Sequence, residues 1–190
     1  SAHPLENPSY FTNMVEIIAQ VLIPVAMIFA LGFYVKRKKF AYVIFIVMTI
    51  GMLCLMIPTI STEIHGNPEI ARMDVTQPTG AMEGKEVRFG PAASGYWSIM
   101  TTIISTGSVN SMHDSSMPLS GLMMLLGMLI NAFYGGCGVG LLNYYIYIII
   151  AVFISGLMVG RTPEFLGHKI EAREVKIAAL VTLLSAFIIK

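Results

Sequence analysis

Two apolar runs joined by four consecutive basic residues constrain this chain more than any other feature. Val15 to Val35 carries only Glu16 and Gln20 near its start and runs into Lys36-Arg37-Lys38-Lys39, after which Phe40 to Ile60 is apolar again. At about 1.5 Å per residue, a helix over either run crosses a hydrocarbon core of roughly 30 Å. The basic cluster places the junction in the cytoplasm by the positive-inside rule, so Ser1 to Asn13 faces outward and the second run returns outward. Pro24 predicts a bend in the first span, and Pro58 predicts the end of the second. Composition supports this: 55% of the 190 residues are hydrophobic and 12% charged, against roughly 25% charged in soluble domains. The reading is an all-α membrane protein. A net charge of +1 provides no basic field for nucleic acid. Cys54 and Cys137 sit in apolar or glycine-rich segments without a CxxC spacing, so no structural disulfide is expected.

From Ser61 to Gly95 the chain turns polar, with Gly66-Asn67-Pro68, Gln77-Pro78-Thr79-Gly80 and Glu83-Gly84-Lys85-Glu86 as turn signals. This predicts an outer loop, either a solvated connection or a lid. Within Ala92 to Asp114, the short run Trp97 to Ile104 leads into Ser105-Thr106-Gly107-Ser108-Val109-Asn110. An apolar stretch too short to cross a bilayer, closed by a small hydroxyl-and-glycine turn, reads as a re-entrant pore helix with its filter loop. Such backbone is tolerated at membrane depth only where it lines water or is buried in protein. Ion passage is the function it suggests, and a plain helix C-cap and turn is the alternative.

Leu119 to Tyr134 and Leu141 to Val159 are separated by Gly135-Gly136-Cys137-Gly138-Val139-Gly140. Two antiparallel spans with a glycine turn fit this pattern, and so does one long helix broken inside the membrane. Each helical glycine costs roughly 1 kcal/mol relative to alanine, which disfavours an unbroken helix. A single broken crossing keeps Arg161, Lys169, Arg173 and Lys176 inside, as the basic-residue bias prefers, and is the favoured reading. Its combined length requires one half to tilt or project beyond the bilayer. Gly160-Arg161-Thr162-Pro163-Glu164 is suited to opening a short helix, and Leu166 to Arg173 reads as amphipathic and interfacial. The apolar run from Val175 is shorter than the roughly 20 residues of a span, and the opening Ser1-Ala2-His3-Pro4 has no signal peptide. An internal fragment of a longer membrane protein is expected.

Other chemistries have weaker support. Ser111, His113 and Asp114 are residue types a hydrolase could use, but their spacing within one turn is not that of a triad. No third ligand stands at a recognisable spacing from His113 and Asp114, so no metal site beyond an ion in the filter is expected, and His3 and His65 read as loop residues. A carboxylate such as Asp114 near a pore mouth could raise local cation concentration. No phosphate-binding loop is present. The methionines Met123, Met124, Met128 and Met158 read as packing or lipid-facing residues, and Tyr144, Tyr145 and Tyr147 as packing or pore-lining ones. A passive channel or an ion-coupled symporter subunit of the same pore superfamily is the alternative function.

Several motifs then resemble one family in order. Ser1-Ala2-His3-Pro4-Leu5-Glu6-Asn7-Pro8 resembles the run after the second selectivity filter of the potassium-binding subunit of the bacterial Kdp ATPase. Met82-Glu83-Gly84-Lys85-Glu86-Val87-Arg88-Phe89-Gly90 is similar to that subunit's outer loop, and Thr106-Gly107 with Met112-His113-Asp114 to its third filter. Gly135 to Gly140 resembles its glycine-rich break, and Gly160 to Gly167 its cytoplasmic signature. The resemblance implies a pore of four unequal repeats in a multi-pass protein of the bacterial cytoplasmic (inner) membrane. Residues 1–39 would then be the returning helix of repeat two. Residues 40–160 would be repeat three, with helix 40–60, outer loop 61–91, pore helix and filter 92–110, and broken helix 117–160. Residues 161–174 would be a cytoplasmic segment and 175–190 the start of repeat four.

The implied activity is non-catalytic: extracellular potassium binds in the filter and passes through a tunnel to a partner P-type ATPase subunit, the site of ATP use, alongside small accessory membrane subunits. Carbonyls can replace the ion's water shell without a fixed charge that would hold it too tightly. Thr106, Ser108 and Val109 would supply carbonyl oxygens, and Gly107, free to take positive φ, would turn its neighbours toward the axis. Asn110, His113 and Asp114 follow at the mouth, where His113 and Asp114 could instead bond each other or the loop. Gly135, Gly136, Gly138 and Gly140 are gate candidates, with close helix packing as the alternative. Asn131 stands where relatives often carry a glutamate and is a tunnel candidate. Arg161 is a subunit-contact candidate, a partner for Glu164, or a plain positive-inside anchor.

Overall fold

The computed structural model describes residues 2–136, 138–160 and 162–188, and the chain is mostly helical. Helix α1, Tyr10–Tyr34, opens on a reciprocal cap: the Ser9 hydroxyl accepts the Thr12 N–H at 3.2 Å, and the Thr12 hydroxyl accepts the Ser9 N–H at 3.1 Å. It runs through Pro24 and stops at the basic cluster, where Lys36 takes a left-handed φ of 57° and the Arg37 N–H reaches back to the Gly32 carbonyl at 3.0 Å. Helix α2, Lys38–His65, follows at once.

Pro58 does not end α2, contrary to the sequence expectation. The helix runs on past the proline to His65, and two back-bonds flank the kink site: the Thr59 hydroxyl donates to the Leu55 carbonyl at 2.8 Å and the Thr62 hydroxyl to the Pro58 carbonyl at 2.9 Å. The helix therefore carries Glu63 and His65, which the sequence pattern assigns to a loop. A short helix α3, Pro68–Arg72, is capped by Asn67, whose side chain accepts the Glu69 N–H at 3.0 Å.

Helix α4, Gly90–Ile104, spans about 22 Å, too short to cross a bilayer. From Ala93 to Ile104 every residue except Tyr96 is buried. It packs on α2, on α5 (Pro118–Ile130) and, more lightly, on α1. The core joins Ile28 of α1, Ile44 and Met48 of α2, Ile99, Met100, Ile103 and Ile104 of α4, and Met124 of α5. Among membrane helices, close packing of this kind replaces hydrophobic transfer as the source of cohesion.

Helix α5 stops at Ile130, and α6, Val139–Val159, starts after an irregular stretch. Asn131, Tyr134, Gly136 and Gly138 all take positive φ, at 39°, 50° or more, so the helical hydrogen bonds cannot continue. The break begins at Asn131, ahead of the glycines, and Gly140 already belongs to α6. Among the described residues, Tyr10–Tyr34, Lys38–Arg72 and Val139–Val159 are the three stretches long and apolar enough to cross a membrane.

Beyond α6 the described residues form a hairpin in place of the expected short helix. Glu164–Phe165 (β1) and His168–Lys169 (β2) pair as a small antiparallel hairpin through Leu166 and Gly167, at φ 51° and 88°. Two successive left-handed residues form a primed turn, which a helix cannot accommodate. Phe165 seats this hairpin between Phe40 of α2 and Tyr145 of α6, with centroids 6.3 and 5.3 Å away. Helix α7, Ala172–Ile188, then packs on α6. Arg161 and Cys137 lie outside the described residues.

Candidate functional site

The buried helix α4 ends by delivering its chain into a non-helical stretch, Ser105 to Asn110, here called the strand. Ser105 closes it in a left-handed conformation, φ 59°, with its N–H on the Thr101 carbonyl. The Thr106 N–H also reaches the Thr101 carbonyl at 3.2 Å, and the Thr106 and Thr101 hydroxyls meet at 2.9 Å. Gly107 follows at φ 73°, with no atom within 4 Å of where a Cβ would stand. Backbone conformation, and not crowding, therefore calls for glycine here.

Ser108 is held from two sides. Its carbonyl accepts the indole N–H of Trp97 at 3.0 Å, and its hydroxyl accepts from the Gln20 side-chain amide at 2.7 Å. The expected free carbonyl at Ser108 is thus engaged by α4 itself. The carbonyls of Thr106, Gly107 and Val109 accept no hydrogen bond from the described residues. Thr106, Gly107 and Val109 are exposed on this chain's surface.

Asn110 turns inward and not toward an open mouth. Fully buried, it donates to Asn13 Oδ1 at 3.1 Å, and Asn13 accepts a second amide from Asn7, also at 3.1 Å. The Asn7 carbonyl in turn takes the Arg88 guanidinium at 3.2 Å. Ser111 is engaged with Ser98, hydroxyl to hydroxyl at 3.1 Å, and its backbone bridges to Lys85. That removes it from any triad. His113 and Asp114 lie on a turn, His113–Ser115, and no hydrogen bond joins them. His113 Nε2 is buried with no partner among the described residues, and burial lowers the ring's pKa below its usual value. Asp114 lines an outer cleft of about 530 Å³ together with Glu83.

An ion pair that the sequence pattern does not reveal fastens the loop beside this turn. Lys85 Nζ stands 2.8 Å from Glu63 Oε2, with 2% and 1% of the two side chains exposed. Glu63 Oε1 accepts the Met117 N–H at 3.0 Å, and the Gly84 carbonyl accepts the Met112 N–H at 2.8 Å. The loop around Lys85 is thereby fastened both to α2 and to the segment after the strand. Gln20 and Trp97 were also missed. Gln20 carried a signal, since a polar side chain inside an apolar span tends to face protein.

The break between α5 and α6 packs beneath the end of α4. Ser105 Oγ donates to Asn131 Oδ1 at 2.9 Å, and a Cβ on Gly136 would stand 3.3 Å from the Ile104 carbonyl. The loop folds on itself where the Gly140 N–H meets the Gly135 carbonyl at 2.8 Å, and a Cβ on Gly135 would fall 2.7 Å from the Gly140 backbone. Tyr134 anchors it to α2, its hydroxyl 2.5 Å from that of Thr49. Asn143 and Tyr147 of α6 donate to the Asn131 and Ile130 carbonyls, at 2.9 and 3.1 Å. Between loop, α1 and α2 remains a cavity of about 10 Å³ lined by Gly135, Gly136 and Gly138, space for about one water.

Fold and site define an all-α membrane protein in which a short helix is buried among longer ones. The family model for KdpA, the potassium-transporting ATPase A subunit, matches residues 1–190, and the chain belongs to this family. Over 189 residues, 100% of this chain, it is 74% identical to the potassium-transporting ATPase potassium-binding subunit of Flavobacterium psychrophilum. The corresponding figures are 72% for the protein of that name from Flavobacterium johnsoniae and 61% for the one from Phocaeicola vulgatus. The chain spans 33% of the length of each of these relatives.

Proposed function

We propose that this chain forms one of several filter strands through which the full-length protein takes up extracellular potassium. The protein then passes the ion to a P-type ATPase partner in the bacterial inner membrane. The observation that carries this reading is the exposed strand Thr106 to Val109, whose carbonyls at Thr106, Gly107 and Val109 are free of protein partners among the described residues. Carbonyl oxygens at such a strand can replace part of a potassium ion's hydration shell. The strand leaves the C-terminal end of α4, whose dipole places roughly half a negative charge there. A cation is favoured at that end.

One strand contributes part of a ring, and the remaining strands belong to the rest of the full-length protein. Below the strand, the loop Asn131 to Gly138 acts as a barrier against leakage toward the cytoplasm, supported by its seat under Ser105 and Ile104. In this reading Asn131, an uncharged amide, lines the ion's way out, Arg161 contacts a partner subunit, and ATP is used only on the ATPase partner. Small accessory membrane subunits complete the complex. The family to which the chain belongs favours this pump over a passive channel or symporter.

The test is potassium uptake by the full-length complex carrying Gly107→Asp, against rubidium and sodium at low external potassium. Lost affinity or relaxed selectivity in an assembled complex is expected. Unchanged uptake and selectivity would move the ion path elsewhere.

A further inference from the structure

The strand is held by a helix outside its own helix–loop–helix unit. Gln20 and Asn13 stand seven residues apart on α1, two turns along one face. Gln20 donates to the Ser108 hydroxyl at 2.7 Å, and Asn13 accepts from Asn110 at 3.1 Å. Asn7, Asn13 and Asn110 are all fully buried, and the Asn7 amide holds Asn13 from the other side. Trp97 fixes the Ser108 carbonyl from α4. Val109 is thus flanked by two residues that α1 grips, while its own carbonyl stays free of partners among the described residues.

We propose that Gln20 and Asn13 are positioning residues: they touch no ion, but set where the Val109 carbonyl stands and so tune discrimination between potassium and rubidium. The proposal rests on the filter reading above. Discrimination between ions of similar size depends on the placement and stiffness of the carbonyl cage. A strand released from α1 at Ser108 would relax around Val109. Nothing else in the described structure bonds the Ser108 side chain.

The experiment measures the KM for potassium and for rubidium, together with the maximal rate, in the full-length complex carrying Gln20→Met, Ser108→Ala, both, or Gly107→Asp as reference. Losing one hydrogen bond should change the ratio of the two KM values by about threefold to tenfold in Gln20→Met, with little change in maximal rate. Ser108→Ala should change the ratio similarly, and the double variant should add nothing to it, because one bond is removed from either end. A helix that merely packs would lower assembly or rate without moving the ratio. Should Gln20→Met disturb assembly, Ser108→Ala breaks the same bond by deleting a single hydroxyl and reads the same ratio. An unchanged ratio in these variants, with Gly107→Asp altering it, overturns the proposal and leaves the filter standing. If Gly107→Asp instead shifts both KM values equally, the filter still stands and the proposal alone is overturned; if it changes neither KM, the filter reading fails and takes the proposal with it.

Discussion

Gly107 and His113 show how differently single residues can matter near one strand. At Gly107 the φ of 73° in open space means that a side chain meets no obstacle, so the cost of replacement is conformational and electrostatic. A carboxylate there adds a fixed negative charge beside the carbonyls, which is why aspartate is the informative substitution. His113 is governed by burial, which lowers its pKa. The folded state then holds fewer protons than the unfolded one near the unperturbed histidine pKa of about 6.5. Stability from this group is complete above that value and declines as pH falls through the window between the unfolded and the depressed folded pKa. The thermal midpoint of the full-length complex should therefore fall as the pH is lowered below about 6.5. His113→Gln should show a smaller drop over the same range. Equal drops in both would deny His113 this role. That α4 ends in a turn with glycine at positive φ was legible in the sequence from the small hydroxyl-and-glycine run; the commitment of the Ser108 carbonyl to Trp97 was not. That bond depends on how far α4 is wound before the strand begins.

Among the elements, α2 and the outer loop carry the least expected feature, the buried Glu63–Lys85 pair. Breaking such a pair leaves one uncompensated charge and costs about 3–5 kcal/mol, whereas replacing both partners by neutral groups is often tolerated. Lys85→Ala should lower stability by about that amount in purified full-length complex, read by thermal or denaturant unfolding. Glu63→Gln combined with Lys85→Met should recover most of it. If the single and double variants were equally unstable, the loss would come from packing and not from charge. The sequence pattern ends α2 at Pro58 and so leaves Glu63 in a loop; that the helix runs on to His65 goes with its packing against α4 and α5, which composition does not show. The glycine-rich break was visible because four glycines weaken any helix, but its start was not. Asn131 takes the left-handed turn first, helped by a side chain that accepts from Ser105. Pro163 suggested a helix start, yet the turn at Leu166-Gly167 made a hairpin that Phe165 locks against Phe40 and Tyr145.

At the scale of the whole molecule, the chain is one third of the length of its relatives, and its exposed surfaces agree with that. On α1, Phe11, Ile18, Leu22 and Phe33 are all more than half exposed, and α6 buries only Gly140. Lipid and the remainder of the full-length protein are the surroundings these faces suit. The class of protein was legible from the apolar runs and the basic junction alone, because span length and charge placement are set by the bilayer. How α4 is enclosed was not, since its burial depends on three other helices meeting around it. The central claim is that potassium is held at this strand. The direct measurement is to locate rubidium or thallium, by anomalous scattering or ion-dependent density, in the full-length protein. The account predicts an ion within coordinating distance of the carbonyls of Thr106, Gly107 or Val109, lost in Gly107→Asp; ordered ions elsewhere in the protein with none at this strand would contradict it.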